Sequence, residues 1–191
     1  PIFMDLFDNL LFNYTHNKLY NTQFLKSNNL KFIEWLPIDQ DTNFNIDVFR
    51  KLNKLTISTK SYYHYVKTFE ETIVTRYHAN KFKVRTFRYD RLKQLLMDWG
   101  IYNEENKRKL ASMYIHHVIE CFEIYNHEKC NLNLSDKKRE IEKILDTEQV
   151  SECIKVLDRT NSFYTNMVFK QMKGKRVNRI YSVTRLKRIL K

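Results

Sequence analysis

The chain has 191 residues, 42% hydrophobic and 14% aromatic, a composition that builds a folded core and excludes a disordered chain. Its two glycines, Gly100 and Gly174, exclude a glycine-rich phosphate-cradling loop, and no run approaches the ~20 apolar residues that span a bilayer. The net charge of +12 is uneven: residues 1–70 carry 8 Lys and Arg against 7 Asp and Glu, and residues 71–191 carry 26 against 15.

Charge of this size points to anionic partners: nucleic acid, an anionic membrane surface or a polyanionic substrate. Cys121, Cys130 and Cys153 are odd in number and none forms a C-x-x-C pair. That pattern argues against zinc and disulfide frameworks and fits reduced thiols in a cytoplasmic protein. No secretion signal is visible, and the sequence begins at Pro1 rather than at a methionine, which leaves a preceding segment open.

In chain order, Phe3, Leu6, Phe7, Leu10 and Leu11 repeat at helical spacing. Asn17 to Leu25 reads as a short helical stretch. Leu30 to Ile33 reads as a strand, ended by Trp35-Leu36-Pro37. Thr42 is placed to cap a helix bearing Phe44, Val48, Phe49 and Leu52. Leu55 to Ser58 and Tyr62 to Val66 are rich in β-branched and aromatic residues and read as strands. From about residue 80 the pattern is helical. A helix runs from near Phe82 to Trp99 and ends at Gly100; Asn103, Ser135 and Thr147 each cap a further helix, and one or two short helices finish the chain. The expected fold class is α+β, mainly α: the tail of an α/β domain over residues 1–75, then a basic all-α domain over 76–191, with the seam between Glu70 and Asn80.

Four blocks stand in order in the first part: Asn17-Lys18-Leu19-Tyr20, Phe24-Leu25, Asn29-Leu30-Lys31-Phe32, and Gln40-Asp41-Thr42-Asn43-Phe44-Asn45. Tyr62 to Tyr65 and Thr72-Ile73 follow. This series resembles the C-terminal, acceptor-side part of family 2 (GT-A type) glycosyltransferases of bacterial wall, teichoic acid and capsular polysaccharide synthesis, over roughly residues 10–75. The resemblance implies inverting transfer from a nucleotide-sugar to a polysaccharide or lipid-linked acceptor. It makes Asp41 the base that takes the acceptor proton. Lys18, Tyr20, Asp39 and Gln40 become acceptor-binding residues, and Arg76 and His78 lie where the family places basic groups near the donor diphosphate. Gln40 departs from the family, which usually has glutamate there. The donor-binding half is missing from these residues, and with it the D-x-D ligands of the Mg or Mn ion expected for the whole enzyme. Asp39-Gln40-Asp41 has those letters but occupies the base position.

Other readings stay open at this point. An aspartate before a helix also serves as an N-cap. His116 and His117 are adjacent on a helix and point about 100° apart, so they do not face one metal. After Asp158 no acidic residue follows, while ten basic ones do, interleaved with Ile180, Val183, Leu186, Ile189 and Leu190. This basic amphipathic segment reads either as a membrane-surface element, peripheral at the inner membrane face, or as a helix packed on the bundle. The alternative functions are a non-enzymatic basic helical module binding nucleic acid, and an oligomerisation or membrane-association module of a split transferase.

Overall fold

The structure, a computed structural model, describes residues 2–58, 60, 63, 64, 66 and 76–189. The described residues form helices α1 (Ile2–Asp8), α2 (Thr22–Ser27), α3 (Gln40–Lys51), α4 (Lys81–Asp98), α5 (Glu104–Ile124), α6 (Leu134–Leu145), α7 (Glu148–Val156), α8 (Phe163–Lys173) and α9 (Val177–Ile189). No helix among them is long and apolar enough to cross a membrane.

The longest helix, α5, lies at the centre, packed by α4, α7, α8 and α9. Its buried positions include Leu110, Ala111, Tyr114, Ile115, Val118, Ile119, Cys121 and Phe122, too many for one stripe, as a helix covered on several sides requires. Asn103 caps it by accepting from the Asn106 N–H at 2.9 Å, and Gly100 supplies the left-handed turn that ends α4. The hydrophobic core runs without interruption from Phe3 of α1 through Phe44 and Phe49 of α3 and Leu92 and Leu96 of α4 to Ile180 of α9.

The α+β expectation is corrected here: among the described residues there is no strand. Leu30 does not start a β-ladder. Asn29 takes φ 50°, and the Leu30 and Asn29 N–H groups donate back to Leu25 and Lys26 carbonyls, a left-handed closure of α2. Lys31 to Ile33 then run without a ladder partner, with the Phe32 ring stacked on Phe44 at 4.4 Å. Leu55 to Ser58 likewise form no strand, and Leu55 and Ile57 are exposed. Both segments have strand-like side chains, but a strand exists only as a pair. Tyr62, Tyr65 and Thr72-Ile73 lie outside the described residues, as does most of the seam at 70–80.

Two caps also differ. Helix α3 starts at Gln40 with Asp39 as its N-cap residue, while Thr42 is buried and faces Asn13. Helix α6 is capped by Asn133 rather than Ser135, its side chain accepting from the Asp136 N–H.

Candidate functional site

A loop over residues 11–20 is folded onto the first turns of α3. Phe12 anchors it: the ring is buried edge-on against Phe3 and Phe49, each at 4.9 Å. Asn45, fully buried on α3, reads the loop from beneath. Its amide donates to the Phe12 carbonyl at 2.7 Å and the Tyr14 carbonyl at 3.2 Å, and its Oδ1 accepts from the Tyr20 hydroxyl at 2.6 Å. Lys18 closes the loop from within. Its ammonium donates to the Leu11 carbonyl and Asn17 Oδ1 at 2.6 and 2.8 Å and also bonds the Tyr14 carbonyl. Burial lowers the Lys18 pKa to about 8, and the charge of Asp41 partly opposes that shift.

Asp41 sits in the first turn of α3, half-buried, where a negative charge is favoured by the helix dipole. Its Oδ2 accepts from the Thr15 N–H at 3.2 Å. Among the described residues no hydrogen bond is made to Oδ1. Burial and then the Asp41 charge raise the Tyr20 pKa, so the phenol stays protonated as a donor. Beside the loop, His16 lies between two rings: Tyr14 at 4.9 Å and Tyr63 at 4.7 Å between centroids. Both tyrosines are exposed. The arrangement joins a carboxylate with an open oxygen to an aromatic platform, and an apolar sugar face can stack on such rings.

Asp39 has a different role. It is the N-cap residue of α3 in the left-handed region, φ 62° and ψ 16°, and its carboxylate is buried under α4. Arg85 donates to both oxygens at 2.7 and 2.8 Å and Arg88 to one at 2.9 Å. Arg85 also reaches Glu120 of α5 at 3.3 Å. Burial works against the Glu120 charge, but the hydrogen bond from His116 and the charges of Lys81 and Arg85 prevail and hold its pKa down to about 2. Arg88 approaches His117 Nδ1 to 2.8 Å. Burial and then Arg88 and Arg85 push the His117 pKa well below its usual range, so the ring is neutral and accepts. This network of Asp39, Arg85, Arg88, Glu120 and His117, with Lys81 and His116 on Glu120, bolts α3, α4 and α5 together. The sequence held a sign of it: Arg85 and Arg88 stand on the same side of α4 as Val84, Tyr89 and Leu92, its buried face, and buried charges require partners.

Of the expected site residues, Lys18, Tyr20 and Asp41 are therefore brought together. The Lys18 ammonium and Tyr20 hydroxyl are committed to the loop and to Asn45, so they shape the site rather than face an acceptor. Asp39 is turned away into the ion network. Gln40 donates its amide to the Leu36 carbonyl at 2.6 Å. Arg76 and His78 lie in the run entering α4, where the His78 carbonyl accepts from the Lys81 N–H and the intervening Tyr77 approaches His127 at 5.4 Å. Among the described residues no group of three or more His, Cys, Asp or Glu side chains is placed to hold a metal. Asp39 is neutralised by two arginines and Asp41 stands as a single carboxylate, so these residues do not fit the divalent ion of a sugar-nucleotide enzyme. Sequence periodicity did not indicate the Tyr14–His16–Tyr63 stack, because loop rings carry no period. Compared with known proteins, the chain matches no family model, no curated protein and no solved structure.

Proposed function

We propose that this chain is the acceptor-binding part of a glycosyltransferase that moves a sugar from a nucleotide-sugar donor to a wall or capsule polysaccharide, with Asp41 as the proton acceptor. The supporting observation is the convergence of Asp41 with Lys18 and Tyr20 of the remote 11–20 loop, which also carries the exposed Tyr14 ring of the stack with His16 and Tyr63. The acceptor sugar stacks on those rings and its hydroxyl donates to Asp41 Oδ1. The hydroxyl oxygen attacks the anomeric carbon from the face opposite the leaving group. The bond from that carbon to the diphosphate oxygen breaks, and the nucleoside diphosphate leaves with the electron pair. The proton passes to Asp41 and then to water, and the anomeric centre is inverted. Lys18 and Asn45 hold the loop so that Asp41 and the rings keep their spacing, a positioning role.

Donor binding is supplied from outside these residues. The setting is the cytoplasm, in keeping with three buried free thiols. The test is sugar transfer by the chain joined to its donor-binding half. Asp41→Asn is expected to lower kcat by ~10²–10⁴ with KM for the donor unchanged. Normal turnover in that variant would reduce Asp41 to a first-turn helix residue.

A further inference from the structure

Helices α8 and α9 form an antiparallel hairpin turned within Gly174–Arg176, where the Arg176 N–H donates to the Gln171 carbonyl at 2.9 Å. The inner face of α9 is spent on the bundle: Ile180 and Thr184 are fully buried, and Asn126 of the α5–α6 connection donates to Thr184 at 3.1 Å. The apolar series from Ile180 onward is therefore divided. Ile180 belongs to the core, whereas Leu186 and Ile189 are exposed, at 56% and 68%. Leu190 lies outside the described residues.

The open end of the hairpin is tied by a cluster of Lys187, Tyr164 and Glu123. Lys187 of α9 lies 4.2 Å from the ring centre of Tyr164 on α8 and pairs with Glu123 at 2.6 Å, and Glu123 also accepts from the Tyr164 hydroxyl. The residues next to this contact turn outward. Phe163 is 89% exposed, and Met167 one turn on is also exposed; Leu186, Arg185 and Arg188 flank Lys187 and are exposed. Among the described residues no carboxylate pairs with Arg159, Arg179, Arg185 or Arg188. No acidic residue follows Asp158. Glu123, the nearby acid, is already paired with Lys187.

We infer that this end of the α8–α9 hairpin docks on an anionic membrane surface, with Phe163, Leu186 and Ile189 entering the headgroup layer and Arg185 and Arg188 on the lipid phosphates. Exposed apolar side chains on the same helix end as guanidinium groups without a carboxylate partner match an anionic interface in both its layers. Charge alone is screened within ~8 Å at physiological salt, so the shallow apolar insertion is required as well. A protein partner would need matching carboxylates and a fitted apolar pocket, whereas a lipid surface supplies both features without a fixed shape.

The experiment is co-sedimentation of the full chain with vesicles of phosphatidylcholine alone and of equimolar phosphatidylcholine and phosphatidylglycerol. Binding is expected on the anionic vesicles only. Arg185→Gln with Arg188→Gln is expected to weaken it about twenty- to thirtyfold, about fivefold for each charge at the surface. Phe163→Ser with Leu186→Ser is expected to weaken it about tenfold or more. All four positions are exposed, and an unchanged urea midpoint verifies the fold of each variant. Equal binding to neutral vesicles, or binding that survives both pairs of substitutions, overturns the inference. So does self-association that Phe163→Ser with Leu186→Ser abolishes while vesicle binding persists. Displacement of the chain from vesicles by a duplex oligonucleotide at low molar excess would assign the arginines to nucleic acid and overturn it too.

Discussion

Asp39 and Asp41 stand two residues apart at the start of α3 and face different parts of the molecule. The Asp39 carboxylate is buried between Arg85 and Arg88, whereas Asp41 bonds the Thr15 N–H and keeps an oxygen open beside the aromatic stack. One is neutralised by two guanidinium groups and the other is held by a single backbone hydrogen bond. The adjacent Gln40 separates them on the helix.

Removing the Asp39 charge leaves two guanidinium groups buried with fewer partners. Asp39→Asn keeps a residue type that tolerates φ 62° but is expected to cost about 3–5 kcal/mol, the scale of a broken buried ion pair. Asp41→Asn is expected to cost about 1 kcal/mol or less, the scale of one first-turn dipole contact. Urea denaturation of both variants checks the contrast. Equal losses would show that the two carboxylates are not divided as described.

Stability should fall on mild acidification because His117 stays neutral in the fold. An unfolded histidine takes up a proton near pH ~6.5, whereas the folded ring, desolvated and beside Arg88, resists it. Its contribution is therefore fully present above pH ~6.5 and is lost as pH falls below that value, at up to about 1.4 kcal/mol per pH unit. His117→Gln removes the titration and should flatten this slope between about pH 7 and 5. Asp90, whose pKa is raised chiefly by burial, contributes with the opposite sign at lower pH in both proteins and cancels from the comparison. Glu120, held to about 2, adds a later loss as pH falls from ~4.3. Parallel pH profiles for the two proteins would contradict a neutral His117.

Gln40 needs a donor, since its amide bonds the Leu36 carbonyl at 2.6 Å. Glutamate offers only acceptors there when ionised. Gln40→Glu is expected to destabilise by about 1 kcal/mol, a loss readable in the urea midpoint and absent in Gln40→Met if the amide bond contributes nothing.

Asn45 holds the loop that carries the candidate site. Asn45→Ala removes both donors to the Phe12 and Tyr14 carbonyls and the acceptor for Tyr20. The expected cost is about 1–3 kcal/mol. Amide hydrogen exchange should show loss of protection at Thr15 and Lys18, whose N–H groups bond Asp41 and the Thr15 carbonyl. Unchanged exchange there would mean that Phe12 alone anchors the loop.

The helices were legible where local rules suffice. Asn103 and Gly100 bracket α5 and α4 as their chemistry demands. The strands were misread because Leu30 to Ile33 and Leu55 to Ser58 have the side chains of strands, while strand formation depends on a partner that no local pattern reports. The ion partners of Asp39 escape local rules for the same reason: Arg85 and Arg88 lie 46 and 49 residues away. The order of motif blocks singles out Asp41 as a candidate, but nothing local shows that Tyr14, His16 and Tyr63 stack.

Binding of a saccharide hydroxyl at Asp41 is read by titrating the labelled chain with wall and capsule-type oligosaccharides and following amide and ring NMR shifts. Shifts are expected grouped at Tyr14, Thr15, His16 and Asp41, weakened at least about fivefold in Asp41→Ala and abolished in Tyr14→Ala with Tyr63→Ala. Shifts confined to other helices, or a Tyr14–Asp41 response that Asp41→Ala leaves unchanged, would contradict it.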